Sequence, residues 1–122
     1  MKESGEMYLE TILLISKRNV SVRSIDIANE LNISRASVSR AISILKKNAF
    51  ITIDEKGWIE LTSLGEQKAG GVYERHVIIK DFLHRFLNVG ENIAEEDACR
   101  IEHILSNETF NQMKRYVEDR KM

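Results

Sequence analysis

Residues 97 to 103 read DACRIEH and bring Cys99, the only cysteine of the chain, within three and four residues of Glu102 and His103. A thiolate, a carboxylate and an imidazole are donors that a borderline divalent cation accepts together, and i, i+3, i+4 spacing on a helix presents all three within about one turn. On a wheel of about 100° per residue with Ala98 at zero, they fall on an arc of roughly 40° to 140°. Ala94, Ile101, Ile104 and Leu105 fall on roughly 240° to 360°. The spacing therefore places the three donors outside the apolar stripe and argues against Cys99 as a small core hydrophobe.

One helix rarely supplies a whole coordination shell, so other donors matter. Met7 and Glu10 are i, i+3 and lie about 60° apart, a thioether and a carboxylate on a shared helical face. His76 falls in the middle of a long helical stretch. Each has an ordinary alternative: Met7 as core filler, Glu10 as a solvated helix charge, His76 as a surface or capping histidine. A single cysteine cannot form an internal disulfide, which leaves its thiol as filler, metal ligand or redox centre.

The elements that must position these residues follow from periodicity. Residues 5 to 17 carry Leu9, Ile12, Leu13 and Ser16 at helical spacing and predict an amphipathic first helix, which NVSV at 19 to 22 then breaks. Ser24 is a candidate N-cap for a short helix with Ile27, Ala28 and Leu31 inward, and LNIS makes a turn. Ser34 caps a second helix with Val38, Ala41, Ile42 and Leu45 inward, which completes a helix-turn-helix pattern. FITIDEKGWIELT reads as two short strands around a DEKG turn, a wing. Thr62 or Ser63 can cap a long helix through about residue 86, weakened at Gly70 and Gly71. After the NVGEN loop, residues 91 to 105 and 107 to 119 predict two further helices, the last capped by Ser106 or Asn107. The fold class is mainly α: a winged helix-turn-helix DNA-binding domain over residues 1 to 63, then a helical domain over 64 to 122 whose linking helix covers about 64 to 86.

A net charge of −1 conceals an uneven distribution. Residues 17 to 56 hold eight Lys or Arg against four Asp or Glu, a local +4 that leaves −5 for the remainder. A basic front half suits a polyanion. The first turns of the second short helix offer Ser34, Arg35, Ser37, Ser39 and Arg40, where arginine can read guanine and serine can reach base or phosphate. Lys46, Lys47 and wing Lys56 are placed for backbone phosphates, and Trp58 is read as a packing residue. No apolar run approaches the roughly 18 residues of a membrane span, and the MKESGEMYLE start lacks the order of a signal peptide. The expectation is a cytoplasmic protein with no membrane partner and no small organic substrate.

Taken together, EMYLE, the winged helix-turn-helix, YERH and DACRIEH resemble the diphtheria toxin repressor and manganese transport regulator family, from about residue 5 to 119. The resemblance implies a homodimeric, metal-activated repressor of metal-uptake genes that binds double-stranded operator DNA, in the short form without the SH3-like domain. It further implies Met7, Cys99, Glu102 and His103 as ligands of a primary site. His76 matches the family's second-site histidine, and Glu10 matches a ligand of the manganese branch. Two positions depart from the iron branch: Lys80 stands where it has a second-site glutamate, and Glu95 replaces its second-site histidine. Sulfur donors favour Fe²⁺, with Mn²⁺ next because Glu10 and the short architecture fit it, while Zn²⁺, Co²⁺ or Ni²⁺ could bind in vitro. Two competing readings use Cys99 differently, as the oxidisable centre of a redox-sensing winged-helix regulator or as an enzyme nucleophile paired with His103. No phosphate loop, oxyanion-hole segment or sizeable substrate domain supports the enzyme.

Overall fold

The computed structural model describes residues 3 to 18 and 21 to 120, and divides into two units, Met1–Gly70 and Gly71–Met122. Asn19 and Val20 of the predicted NVSV break lie outside the described residues.

In the first unit, α1 (Glu3–Arg18) is followed by α2 (Ser24–Leu31), α3 (Arg35–Lys47), the strands β1 (Ile51–Ile53) and β2 (Ile59–Leu61), and the start of α4 (Ser63–Asp81). Tyr8, Leu9, Ile12 and Ile15 of α1 form one core with Ile27 and Ala28 of α2 and Val38, Ile42 and Leu45 of α3. Ser16 is corrected: it is exposed and its hydroxyl donates to the Leu13 carbonyl at 2.8 Å, while Ile15 takes the inward place. The buried face thus centres on Ile12, because the apolar side chain gains from burial and the hydroxyl is satisfied by the backbone.

Ser24 is also corrected as a cap. Arg23 is the N-cap of α2, and its backbone N–H donates to the Asp26 carboxylate at 2.9 Å, so the acidic residue three positions on satisfies the helix start. Asn32 ends α2 in the left-handed conformation, φ 54°, which Asn tolerates better than other side chains. Ser34 caps α3 as expected, its Oγ accepting from the Ser37 N–H at 3.1 Å.

The strands pair antiparallel with Ile51 opposite Leu61 and Ile53 opposite Ile59, and Val22 adds a single bridge to Ile59. The DEKG turn closes as expected. Asp54 Oδ1 accepts from the N–H groups of Lys56 and Trp58, both at 2.9 Å, and Gly57 adopts φ 85°. Thr62 is the residue that caps α4, accepting from the Gly65 N–H at 3.0 Å while its hydroxyl donates to the Ala49 carbonyl at 2.7 Å. Gly70 and Gly71 do not interrupt α4.

In the second unit the α-helical part of α4 ends at Asp81 and the helix continues to the predicted residue 86 in a wide π-type turn, Phe82–Phe86, closed by Leu87 N–H to Phe82 carbonyl at 3.2 Å. The widened turn sets Phe82 and Phe86 edge-on against Tyr116, with ring centroids 5.5 and 5.2 Å away. Then come α5 (Glu91–Ile101) and α6 (Asn107–Asp119), the latter capped by Ser106 as expected. Ile78, Ile79, Ala98, Phe110 and Val117 make this unit's core. The helix predicted over 91 to 105 stops at Ile101 because Ser106 takes an extended backbone, ψ 156°, to cap α6. Ile104, assigned to the apolar stripe by the wheel, consequently lies 73% exposed.

Gly65 marks a close approach: a Cβ there would lie 2.0 Å from the Phe50 carbonyl oxygen. Gly65→Ala is expected to destabilise the protein by about 1 to 3 kcal/mol in urea unfolding, whereas Gly70→Ala or Gly71→Ala, which would meet nothing within 4 Å, should each stabilise it by about 0.5 to 1 kcal/mol. Equal effects at the three glycines would show that the contact with Phe50 does not constrain the start of α4.

Candidate metal centre and nucleic-acid interface

Two helices and one turn of the second unit converge on Glu102, whose side chain is 1% exposed. From α4, His76 Nδ1 approaches Glu102 Oε2 at 3.2 Å. From α5, Cys99 Sγ lies 3.8 Å from the same Nδ1. In the turn after α5, His103 Nε2 is 3.3 Å from Glu102 Oε1, with its side chain also buried. The other edge of the His76 ring meets Glu95, Nε2 to Oε1, at 2.9 Å. His76, Cys99, Glu102 and His103 are therefore brought together, so that His76, which the resemblance gave to a second site, stands beside the three donors of the DACRIEH segment. Met7 and Glu10 stand on α1 in the first unit, Met7 exposed and Glu10 buried.

The presentation differs from the expectation in one respect. Because α5 ends at Ile101, Glu102 and His103 are offered by a turn and not by one helical face. Arg75 of α4 fixes that turn. Its Nη1 donates to the carbonyls of Glu102 and Leu105 at 3.0 and 2.6 Å, its Nη2 donates to Asn107 Oδ1 at 2.6 Å, and its guanidinium lies over Phe110. Sequence reading assigned Arg75 nothing, since no local pattern signals a partner some 30 residues away. Glu95 was noted as a departure and not counted as a site residue. The wheel could have found it: four residues before Cys99, it falls at about 60°, between Glu102 and Cys99.

Glu102 Oε2 also tests whether a metal fits. It is buried and, among the described residues, has no hydrogen-bond partner. The 3.2 Å approach of His76 Nδ1 makes it an ion-pair contact of that oxygen when the imidazole is protonated. A buried carboxylate oxygen without a donor is costly, and a cation removes the cost. Sulfur, imidazole nitrogen and carboxylate oxygen around it form a donor set for a borderline divalent ion. The residues fit the group.

The electrostatics agree. The Glu102 carboxylate is the largest influence on His76; burial opposes it, Glu95 adds to it, and the imidazole is raised from 6.5 to about 9. Glu95 is pushed up by burial but held below its ordinary range by Lys80 and His76. Without metal the His76 proton thus neutralises part of the carboxylate charge.

In the first unit, α3 buries Val38, Ile42 and Leu45 and leaves Arg35, Ser39, Arg40, Lys46 and Lys47 exposed, with Lys56 exposed at the wing tip. No acidic residue occupies the first turn of α3. That leaves its N-terminus open to phosphate. The Ser34 hydroxyl donates to the Ser37 hydroxyl at 3.0 Å, so these two serines are engaged with each other. Trp58 is half-buried under Arg23, whose Cζ stands 4.0 Å from the ring centroid, in keeping with the packing role expected of it.

Two outcomes follow. Since the folded His76 value of about 9 lies above the free value of 6.5, its stabilising contribution is complete below pH 6.5 and lost as pH rises through about 9. Thermal unfolding of metal-free protein should show that loss in wild type and not in His76→Gln, and calorimetry near neutral pH should detect proton release when metal binds. Arg75→Ala should weaken metal binding roughly 10 to 100-fold in a metal titration, as loss of an orienting contact does at metal sites. Unchanged affinity would mean that the turn carrying Glu102 is held by other contacts.

Comparisons with known proteins match both halves of the chain. A family profile described as "Iron dependent repressor, N-terminal DNA binding domain" matches residues 1–57, and "Iron dependent repressor, metal binding and dimerisation domain" matches residues 62–122. The chain is 34% identical over 119 residues to an uncharacterized HTH-type transcriptional regulator of Methanocaldococcus jannaschii, covering 97% of this chain and 95% of that protein. It is 30% identical over 117 residues to the transcriptional regulator MntR of Escherichia coli O6:H1, covering 96% of this chain and 75% of that one. The solved structure of the manganese regulator SloR superposes with a TM-score of 0.82 at 25% identity, covering 93% of this chain and 53% of SloR, so the chain spans about half of that longer protein. None of the described helices is long and apolar enough to cross a membrane. With both halves of the chain matched by its profiles, the protein belongs to the iron-dependent repressor family, the diphtheria toxin repressor and manganese transport regulator family of metal-dependent transcriptional repressors.

Proposed function

We propose that this chain represses metal-uptake genes when divalent metal is plentiful, with Fe²⁺ the favoured ion and Mn²⁺ next. It acts by binding and not by catalysis, as a homodimer on double-stranded operator DNA in the cytoplasm, with no membrane partner and no small organic substrate. The observation that carries the reading is the buried Glu102 oxygen that has no hydrogen-bond partner among the described residues, flanked by His76 and Cys99 on a chain whose other half is a winged helix.

His76, Cys99, Glu102 and His103 would hold the ion in the second unit, and Met7 and Glu10 are the further donors that the resemblance implies from α1. A bound divalent ion supplies charge that offsets the carboxylates and directional bonds that hold the donors in place. Cys99 contributes a soft thiolate, which favours Fe²⁺ over the harder Mn²⁺. His76 gives up the proton it carries without metal, and Glu102, already desolvated, needs little reorganisation to accept a cation. Ser34, Arg35, Ser37, Ser39 and Arg40 would face the major groove, with Lys46, Lys47 and Lys56 on phosphates, and the division between the two functions falls near residue 63. In a two-fold dimer the recognition helices must sit one DNA turn, or a multiple, apart. A coupling of about 1 to 3 kcal/mol, roughly 5 to 150-fold in DNA affinity, suffices for such a switch.

A second reading, a redox-sensing regulator, is favoured by one observation: Cys99 is exposed and an imidazole nitrogen lies 3.8 Å from its sulfur. The two are separated by anaerobic binding to the DNA upstream of the protein's own gene, with chelator and then with Fe²⁺ or Mn²⁺ titrated in. Wild type should bind at least several-fold more tightly with metal, Cys99→Ala should lose or shift that response, and Arg35→Ala with Arg40→Ala should abolish retention. Metal-independent binding that peroxide weakens would establish the redox reading instead.

A further inference from the structure

We propose that Lys80 acts as a tethered cation that keeps Glu95 out of the metal's ligand set, so that no metal ion binds on the Nε2 side of His76. By distance alone, His76, Glu95 and Cys99 could hold an ion, since one donor atom from each lies within 4.8 Å of the others. Yet both oxygens of Glu95 are committed. Oε2 is 3.1 Å from Lys80 Nζ, and Oε1 is 2.9 Å from His76 Nε2. Lys80 is itself held in place by a second carboxylate, Glu91 Oε1 at 3.8 Å.

The two edges of the His76 ring are thereby given different tasks. Nδ1 faces Glu102 and Cys99, where the donors converge and an oxygen lacks a hydrogen-bond partner among the described residues. Nε2 faces Glu95, which can accept its N–H. An imidazole that coordinates through one nitrogen commonly donates the other N–H to a carboxylate, which fixes the tautomer and the ring plane. Glu95 is in this arrangement a positioning residue for His76. Lys80 supplies at Glu95 the positive charge that a further ion would otherwise bring, and repels any divalent ion approaching that edge.

This inference rests on the metal-centre reading above, and the test separates the two. Metal-free, full-length protein is dialysed to equilibrium against Co²⁺ without oxygen, and cobalt per chain is measured by elemental analysis for wild type, Lys80→Ala, Lys80→Glu, Glu95→Gln and the double variant Lys80→Ala with Glu95→Gln. Thermal unfolding without metal identifies which variants are folded, and either Lys80 variant suffices. At saturating Co²⁺ wild type and Glu95→Gln should reach the same ratio, Glu95→Gln with the weaker affinity, the Lys80 variants should take up one more ion per chain, and the double variant should return to the wild-type ratio. An unchanged ratio when Lys80 is removed, or a lower one in Glu95→Gln alone, overturns the proposal. Wild type that takes up no Co²⁺ overturns the metal-centre reading and this one with it, whereas an intact wild-type ratio with no gain in the Lys80 variants overturns this one alone.

Discussion

A carboxylate taken out of water is the constraint around which the second unit is arranged. Burying a carboxylate at 1% exposure is costly unless it is partnered, and imidazoles from α4 and from the turn after α5 face it, while Arg75 holds the backbone carbonyl of the same residue. With Arg75 also reaching Asn107, these contacts join α4, the turn after α5 and the start of α6, and among the described residues they leave one carboxylate oxygen without a hydrogen-bond partner. A side chain that costs this much to bury and is still incompletely served is poorly explained by stability alone. It is well explained by an ion that completes it, which places the folding of this unit and its ligand chemistry on the same residues.

The first unit is built on the opposite principle. Its main cluster is apolar, with Glu10 and Thr11 of α1 the buried polar residues of this unit, and other polar side chains serve the ends of elements: Asp26 at the start of α2, Ser34 at the start of α3, Thr62 between Ala49 and α4. The basic residues of α3 are exposed and stand outside this capping set, which leaves them available to a polyanion. Ser34 and Ser37 are the exception, since each hydroxyl already serves the helix start.

Much of this was legible in the sequence because it is local. Amphipathic spacing located the helices, Ser34 and Ser106 announced their helix starts, DEKG announced its turn, and DACRIEH announced donor chemistry through residue types alone. What escaped was set by partners distant in sequence or by competition between neighbours. The end of α5 is decided by the extended backbone that capping α6 requires of Ser106, so a wheel drawn through residue 105 put Ile104 on a face it does not occupy. The π-type turn at 82 to 86 accompanies two phenylalanines set against Tyr116, some 30 residues on. Arg75 has the same character. Ser24 lost the N-cap to Arg23 because Asp26 answers the backbone there, and Ser16 turned outward because Ile15 had more to gain from the core.

The wing turn has a consequence for recognition that concerns entropy. Asp54 receives two backbone N–H groups, and Gly57 accepts a conformation that other residues resist, so the four-residue tip is ordered by its own hydrogen bonds. Fixing a backbone residue costs about 1 to 2 kcal/mol of conformational entropy. Here that ordering is completed during folding, and Lys56 meets a phosphate with only its side-chain rotamers left to restrict. A floppy tip bearing the same charge would lose part of its attraction to the freezing of its own chain.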